Sequence, residues 1–161
     1  MNTMLQTIRI GAVVSLVAFL AMPSALTAQD DSFLGVWELN LAKSSITRGA
    51  PPKSETIVNS LEPGGCRSLL AVVGETSTSV EIQHFVFDGA FHQTEGSDPR
   101  ELSVTRTDRR TIEQDTRRNG SVTVHRLITL SDDGRTLTYV ANGRSGNGQA
   151  YTNDTRVYEK K

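Results

Sequence analysis

The chain has 161 residues and a formal net charge of −1, because 17 Lys and Arg stand against 18 Asp and Glu. This balance, without a polybasic run, excludes the electrostatic pattern of a nucleic-acid-binding domain. The only cysteine, Cys66, can form no internal disulfide, so stability has to come from burial and backbone hydrogen bonds.

Residues 1–28 have the pattern of a signal peptide. Arg9 precedes an apolar run over 10–22, and small residues follow. The run is shorter than the roughly 20 residues that a membrane-spanning helix needs. We therefore expect export to the periplasm or the extracellular space, and no stable membrane insertion of residues 29–161 after cleavage. Cleavage after Ala25 instead of residue 28 stays open.

Beyond residue 30 the sequence has the pattern of β-strands. Short runs rich in Val, Ile, Thr, Phe and Tyr recur between Gly, Asn and Asp, and no window has apolar residues at helical spacing for three turns. The close spacing favours antiparallel hairpins. Between the first two strands, residues 40–53 are predicted to form a crossover loop, or a lid, with at most a short helical turn. The predicted strands are 33–39, 54–61, 67–73, 79–87, 90–94, 101–106, 111–117, 121–130, 135–141 and 149–158.

Two hairpins can be placed in register. A turn at 133–134 places Arg126 opposite Ala141. A two-residue turn at 119–120 would direct Asp115 and Arg117 into the core, so we prefer a three-residue loop with a bulge at 120. That register turns Ile112, Gln114 and Thr116 inward. The predicted inner face of the neighbouring hairpin consists of Val122, Val124, Arg126, Ile128, Leu130, Leu137 and Tyr139.

The period-two alternation over 29–161 predicts an all-β domain. We expect an antiparallel up-and-down β-barrel of about eight to ten strands. A sandwich of two sheets obeys the same alternation and stays as the alternative.

Two arginines are predicted to point inward. Arg126 is a diagonal neighbour of Tyr139, and Arg106 shares the inward parity of Val104. A buried guanidinium needs an anionic partner, because burying it unpaired is costly. In an open barrel that partner can be a ligand carboxylate or phosphate, held with help from the tyrosine hydroxyl. An internal Asp or Glu is the alternative.

Other chemistry has little support in the sequence. A tight turn at 88–89 would pair Phe85 with His92 and send His84 to the opposite face, and no spacing typical of a metal site occurs. Neither a Gly-x-Ser-x-Gly elbow nor a nucleotide-binding glycine loop is present. We therefore expect no enzyme activity, no metal and no cofactor.

The two ends of the predicted domain resemble known proteins. Residues 33–44 contain Gly-Val-Trp-Glu-Leu-Asn followed by Lys-Ser, and 157–160 read Val-Tyr-Glu-Lys. Both are similar to small exported bacterial proteins with these motifs, and Gly-x-Trp more distantly resembles the first strand of the lipocalins, which are calycins. The resemblance implies a lipocalin-like barrel in which Trp37 closes one end against an arginine, here Arg156.

Together these patterns predict noncatalytic binding or carriage of a small apolar or amphipathic molecule in the bacterial cell envelope. In this interpretation Trp37 plugs one end, Tyr139 lines the wall, and Arg126 or Arg106 meets an acidic head group. The alternative is a solid barrel that serves as a structural or interaction module for an unknown protein partner.

Overall fold

The computed structural model describes residues 31–96 and 100–161, so the predicted signal peptide lies outside the described residues. The described chain forms a single antiparallel sheet of eleven strands. The sheet is nearly closed into a barrel. One continuous sheet confirms the predicted up-and-down barrel and excludes the sandwich of two sheets.

All ten predicted strands are present, and a short additional strand, β6, lies beside β4. Short 3-10 turns cover Asp31–Phe33 and Leu41–Lys43, the latter within the predicted crossover loop. No helix in the described ranges is both long enough and apolar enough for a membrane span. The strands are β1 (Gly35–Leu39), β2 (Ser54–Glu62), β3 (Gly65–Val73), β4 (Thr78–Val86), β5 (Phe91–Gln93), β6 (Glu95–Gly96), β7 (Glu101–Asp108), β8 (Thr111–Arg118), β9 (Ser121–Leu130), β10 (Thr136–Arg144) and β11 (Ala150–Lys160).

The predicted register between β9 and β10 is confirmed. Arg126 lies opposite Ala141, and Ile128 lies opposite Tyr139. The connection is a loop over 132–135, which is longer than the predicted two-residue turn. Both connections give the same register, so the same side chains face the inside of the barrel. The inner face of this hairpin therefore follows from its alternation.

Between β8 and β9 the predicted inward face of β8 is confirmed, but the predicted three-residue loop with a bulge at 120 is wrong. Asn119 and Gly120 form a tight turn with φ of 49° and 78°. A bulge between Thr116 and Arg117 then restores the parity. The prediction for Val122 is wrong, because it lies on the turn side of the bulge and is 55% exposed. The residues that face inward as predicted are Ile112, Gln114 and Thr116.

Trp37 is fully buried at one end of the barrel. Its indole Nε1 donates a hydrogen bond of 3.0 Å to the backbone oxygen of Phe33. The ammonium of Lys160 lies 5.1 Å from the indole centroid, because Lys160 is opposite Trp37 in the ladder between β1 and β11. The expectation that Arg156 covers this tryptophan is therefore wrong, since Arg156 pairs with carboxylates nearer the other end.

The end of the barrel around Trp37 is filled by an apolar core. Cys66 belongs to this core, and burial together with the nearby Glu62 carboxylate raises the pKa of its thiol to about 11. The thiol is therefore protonated at neutral pH. Other members are Phe33, Val104, Ile112, Ile128, Leu130 and Leu137.

The two edges of the sheet meet at a seam between β4 and β7. An extended segment over 91–96 lies in this seam. Its first part, β5, pairs with β7, and its second part, β6, pairs with β4. The segment therefore supplies hydrogen-bond partners to both edges, so little of either edge is left open.

The predicted hairpin between β4 and β5 is wrong. His92 lies opposite Leu102 on β7 and has no ladder partner on β4. The turn at 88–89 is hydrogen-bonded to β7. The Gly89 backbone nitrogen donates to the backbone oxygen of Val104 (3.1 Å), and the Ser103 hydroxyl donates to the Gly89 oxygen (2.7 Å). Pairing along this edge satisfies backbone groups that a local hairpin would have left without partners.

His84 ties β4 to its neighbours on the outer side of the seam. Its Nδ1 lies 2.9 Å from a carboxylate oxygen of Glu62 on β2, and its Nε2 lies 3.4 Å from Glu95 on β6. The hydrogen bond with Glu62 raises the pKa of His84 above its usual 6.5. The protonated form is therefore favoured in the folded state.

We predict a pH-dependent contribution of His84 to stability. The contribution is fully present below the unfolded pKa of about 6.5 and is lost as the pH rises through the higher folded pKa. Chemical unfolding across this range should show a steeper fall in the free energy of unfolding for the native chain than for His84→Asn. Glu62→Gln, which keeps the histidine but removes its main partner, should reduce the slope as well. Equal slopes in all three proteins would contradict the prediction.

Candidate functional site

An internal cavity of about 360 Å³ occupies the part of the barrel away from Trp37. Inward-facing residues of β2, β3 and β4 line one side, and residues of β8 to β11 line the other. Arg48, from the connection between β1 and β2, also lines it. The apolar and aromatic lining includes Ile57, Leu70, Val72, Phe85, Tyr139 and Tyr158.

Charged side chains are concentrated in this cavity. Four arginines and three carboxylates line it, which gives a formal charge of +1. Arg100 is paired with Glu81 through two hydrogen-bonding contacts, one of them 3.1 Å long. Burial and the nearby guanidinium of Arg126 lower the pKa of Arg100 to about 10, despite its carboxylate partner. Arg100 is thus still protonated at neutral pH, within a region of excess positive charge.

A second ion-pair cluster surrounds Glu55, which is 3% exposed. Glu55 accepts hydrogen bonds from the guanidinium of Arg156 and from the hydroxyl of Tyr158. Arg156 also contacts Asp154, at 3.4 Å. Burial opposes the charge of Arg156, but Glu55 and Tyr158 outweigh it and raise the pKa of Arg156. Arg156 is therefore paired within the protein, and the cluster of one guanidinium and two carboxylates has a formal charge of −1.

Arg126 is in a different situation. Its Nη1 donates to the side-chain oxygen of Gln114, which is 1% exposed. Among residues 31–96 and 100–161, no carboxylate lies within ion-pair distance of Arg126. Burial lowers the pKa of Arg126, and repulsion by Arg48 acts in the same direction. The cavity wall therefore carries a guanidinium whose only described hydrogen-bond partner is neutral.

Gln114 continues a chain of side-chain hydrogen bonds across the seam. Its Nε2 donates to the oxygen of Gln83 over 3.2 Å. The Nε2 of Gln83 donates to Glu81 over 2.7 Å, and Glu81 accepts from Arg100. Both glutamine amides are buried, so their orientation and that of Arg126 are set by a connected network.

Tyr139 lies beside Arg126, as predicted. Its ring packs edge-on against Tyr158, with centroids 5.0 Å apart and an interplanar angle of 84°. Burial raises the pKa of Tyr139, so its hydroxyl is protonated at neutral pH. Within the described chain the hydroxyl forms no hydrogen bond with another residue. Arg126 and Tyr139 thus present polar groups to the same cavity.

The other two predicted site residues lie at the opposite end of the barrel. The guanidinium of Arg106 is 5.0 Å from the ring centroid of Phe33 and 4.8 Å from that of Phe87. The adjacent void is about 10 Å³, room for at most about one water. Trp37 does not line the large cavity. The structure therefore brings Arg126 and Tyr139 together at the large cavity, which neither Arg106 nor Trp37 lines, while Tyr139 also lines the small void beside Arg106.

Sequence reasoning missed several residues of the cavity. Asp154, Arg156 and Tyr158 alternate along β11, so their common face could have been read from the period of two. Arg48 gave no such signal, because a loop has no fixed alternation of side chains. Its place at the cavity depends on how the connection folds back over β11.

The chain matches no protein-family model, and no curated protein is significantly similar to it in sequence. The functional argument therefore depends on the cavity and its residues.

We predict that the buried carboxylate of Glu55 stabilises the folded barrel around the cavity. Glu55→Gln should lower the free energy of unfolding by about 2 kcal/mol, because it removes the buried carboxylate that pairs with Arg156 and leaves Arg156 only its longer contact with Asp154. Urea unfolding measures this difference. Glu113→Gln, on the exposed face of β8, is the matched control and should change stability by less than about 0.5 kcal/mol. Similar small effects in both variants would contradict the assignment.

Proposed function

We propose that this protein binds or carries a small acidic amphipathic molecule, without catalysis, after export to the bacterial cell envelope. The observation that carries the proposal is the guanidinium of Arg126, which lines a cavity of about 360 Å³ with only a neutral partner in the described chain. A buried charge in this state is stabilised when an anion enters and pairs with it.

A carboxylate suits this position. A planar guanidinium can donate two parallel hydrogen bonds to the two oxygens of a carboxylate. Tyr139 lies next to Arg126 and supplies a protonated hydroxyl as a further donor. The network through Gln114 holds Arg126 in place, so its side chain loses little conformational freedom on binding.

The opposite wall suits the apolar part of the ligand. In the order of strands around the barrel, β3 lies on the far side from β9. Leu70 and Val72 of β3 line the cavity there. A molecule with its acidic group at Arg126 can therefore place a hydrocarbon portion against an apolar surface.

The volume favours a binding protein over a solid interaction module. It is far larger than the roughly 30 Å³ of one water molecule, and it lies near the lower end of the range for small-molecule sites, about 300 to 1,000 Å³. The ligand is accordingly of modest size. Export rests on the signal-peptide pattern of residues 1–28, and the calycin-type assignment on the Gly-x-Trp motif and the barrel.

We predict that Arg126→Gln selectively weakens carboxylate binding. The full chain, expressed with its leader and purified after processing, is titrated calorimetrically with decanoate and with decan-1-ol. The variant should bind decanoate about tenfold more weakly, because a charge-assisted bidentate contact is lost. Its affinity for decan-1-ol, which carries no charge, should stay within about twofold of the native value.

Arg106→Gln is the matched control, since it removes an arginine from the apolar end of the same barrel. Its decanoate affinity should equal that of the native protein. Circular dichroism confirms that both variants are folded. The proposed function is contradicted if the native protein binds neither probe. It is also contradicted if Arg126→Gln leaves the decanoate affinity unchanged.

A further inference from the structure

Arg48 is a second guanidinium at the cavity without a carboxylate partner for its side chain in the described ranges. It belongs to the connection between β1 and β2. Its guanidinium carbon lies 5.6 Å from the ring centroid of Tyr151, which also lines the cavity. Sequence alternation could not place it, but the structure puts it over the same space as Arg126.

The backbone around Arg48 is fixed to β11. The amide nitrogens of Thr47 and Arg48 both donate to one carboxylate oxygen of Asp154, at 2.8 and 3.1 Å. Ser45 exchanges two backbone hydrogen bonds of 2.8 Å with Thr155. The connection is thus held in position before any ligand arrives, and Arg48 with it.

The charges in the cavity divide into two groups. Arg100 and Arg156 already have carboxylate partners, whereas Arg48 and Arg126 have none among the residues described. Arg48 repels both Arg126 and Arg100 and contributes to the lowered pKa of each. Anionic groups near Arg126 and near Arg48 would relieve this repulsion at two places.

We infer, on the basis of the proposed function, that the preferred ligand carries two acidic groups, one held by Arg126 and one by Arg48. The two arginines belong to different elements, β9 and the connection between β1 and β2, and they repel each other, so each is stabilised by an anionic group of its own. Arg48 is only partly buried, so its acidic group loses only part of its hydration. Dicarboxylates with an apolar centre are the chemical class that fits.

The test compares decanedioate with decanoate, which differ by one carboxylate at the far end of the same carbon chain. Native protein should bind decanedioate about tenfold more tightly, as expected for one added charge-assisted contact. Arg48→Gln should abolish this preference, because it should weaken decanedioate binding about tenfold and decanoate binding much less. Arg48→Lys, which keeps the charge, should retain part of the preference.

Arg144→Gln is the control for general electrostatics. Arg144 is exposed, lies near the end of β10 at the cavity end of the barrel, and does not line the cavity. This variant should keep the full preference for decanedioate. If decanoate binds through Arg126 but decanedioate binds no better, or if Arg48→Gln weakens both probes equally, the inference is overturned while the proposed function stands. If native protein binds neither probe, the proposed function itself fails.

Discussion

The hydrogen-bonded side chains that run from Arg126 through Gln114, Gln83 and Glu81 to Arg100 hold the two edges of the sheet together. The backbone ladder is replaced at the seam by a short inserted segment, so these polar contacts complete the closure from inside. The same side chains form one wall of the cavity. Closure of the barrel and orientation of the candidate binding groups therefore depend on one network.

The barrel has two ends with different physical character. Around Trp37 the interior is apolar and packed, and its void holds at most about one water. Around Arg126 the interior is charged and open. Ion pairs stabilise part of this open end, but Arg126 remains without an acidic partner in the described chain. Such an arrangement is unfavourable for the empty protein and favourable for binding an anion.

The confirmed predictions share one origin. The inward placement of Arg126, Tyr139 and Gln114 follows from alternation along strands whose connections have recognisable turn residues. The incorrect prediction at 88–89 arose because a local turn signal was taken to mean a local hairpin. The chain pairs with β7 instead, and this pairing supplies hydrogen-bond partners to an edge that a local hairpin would have left without them.

The sequence by itself determined ten of the eleven strands, the inward face of most of the side chains singled out, and the presence of an inward arginine without an obvious partner, because period-two alternation is a local property of an extended chain. Only the tertiary structure decided that Arg106 is held between Phe33 and Phe87, and that Arg48 shares the cavity of Arg126. Which charges meet depends on contacts between residues far apart in the chain, and no local pattern encodes those distances.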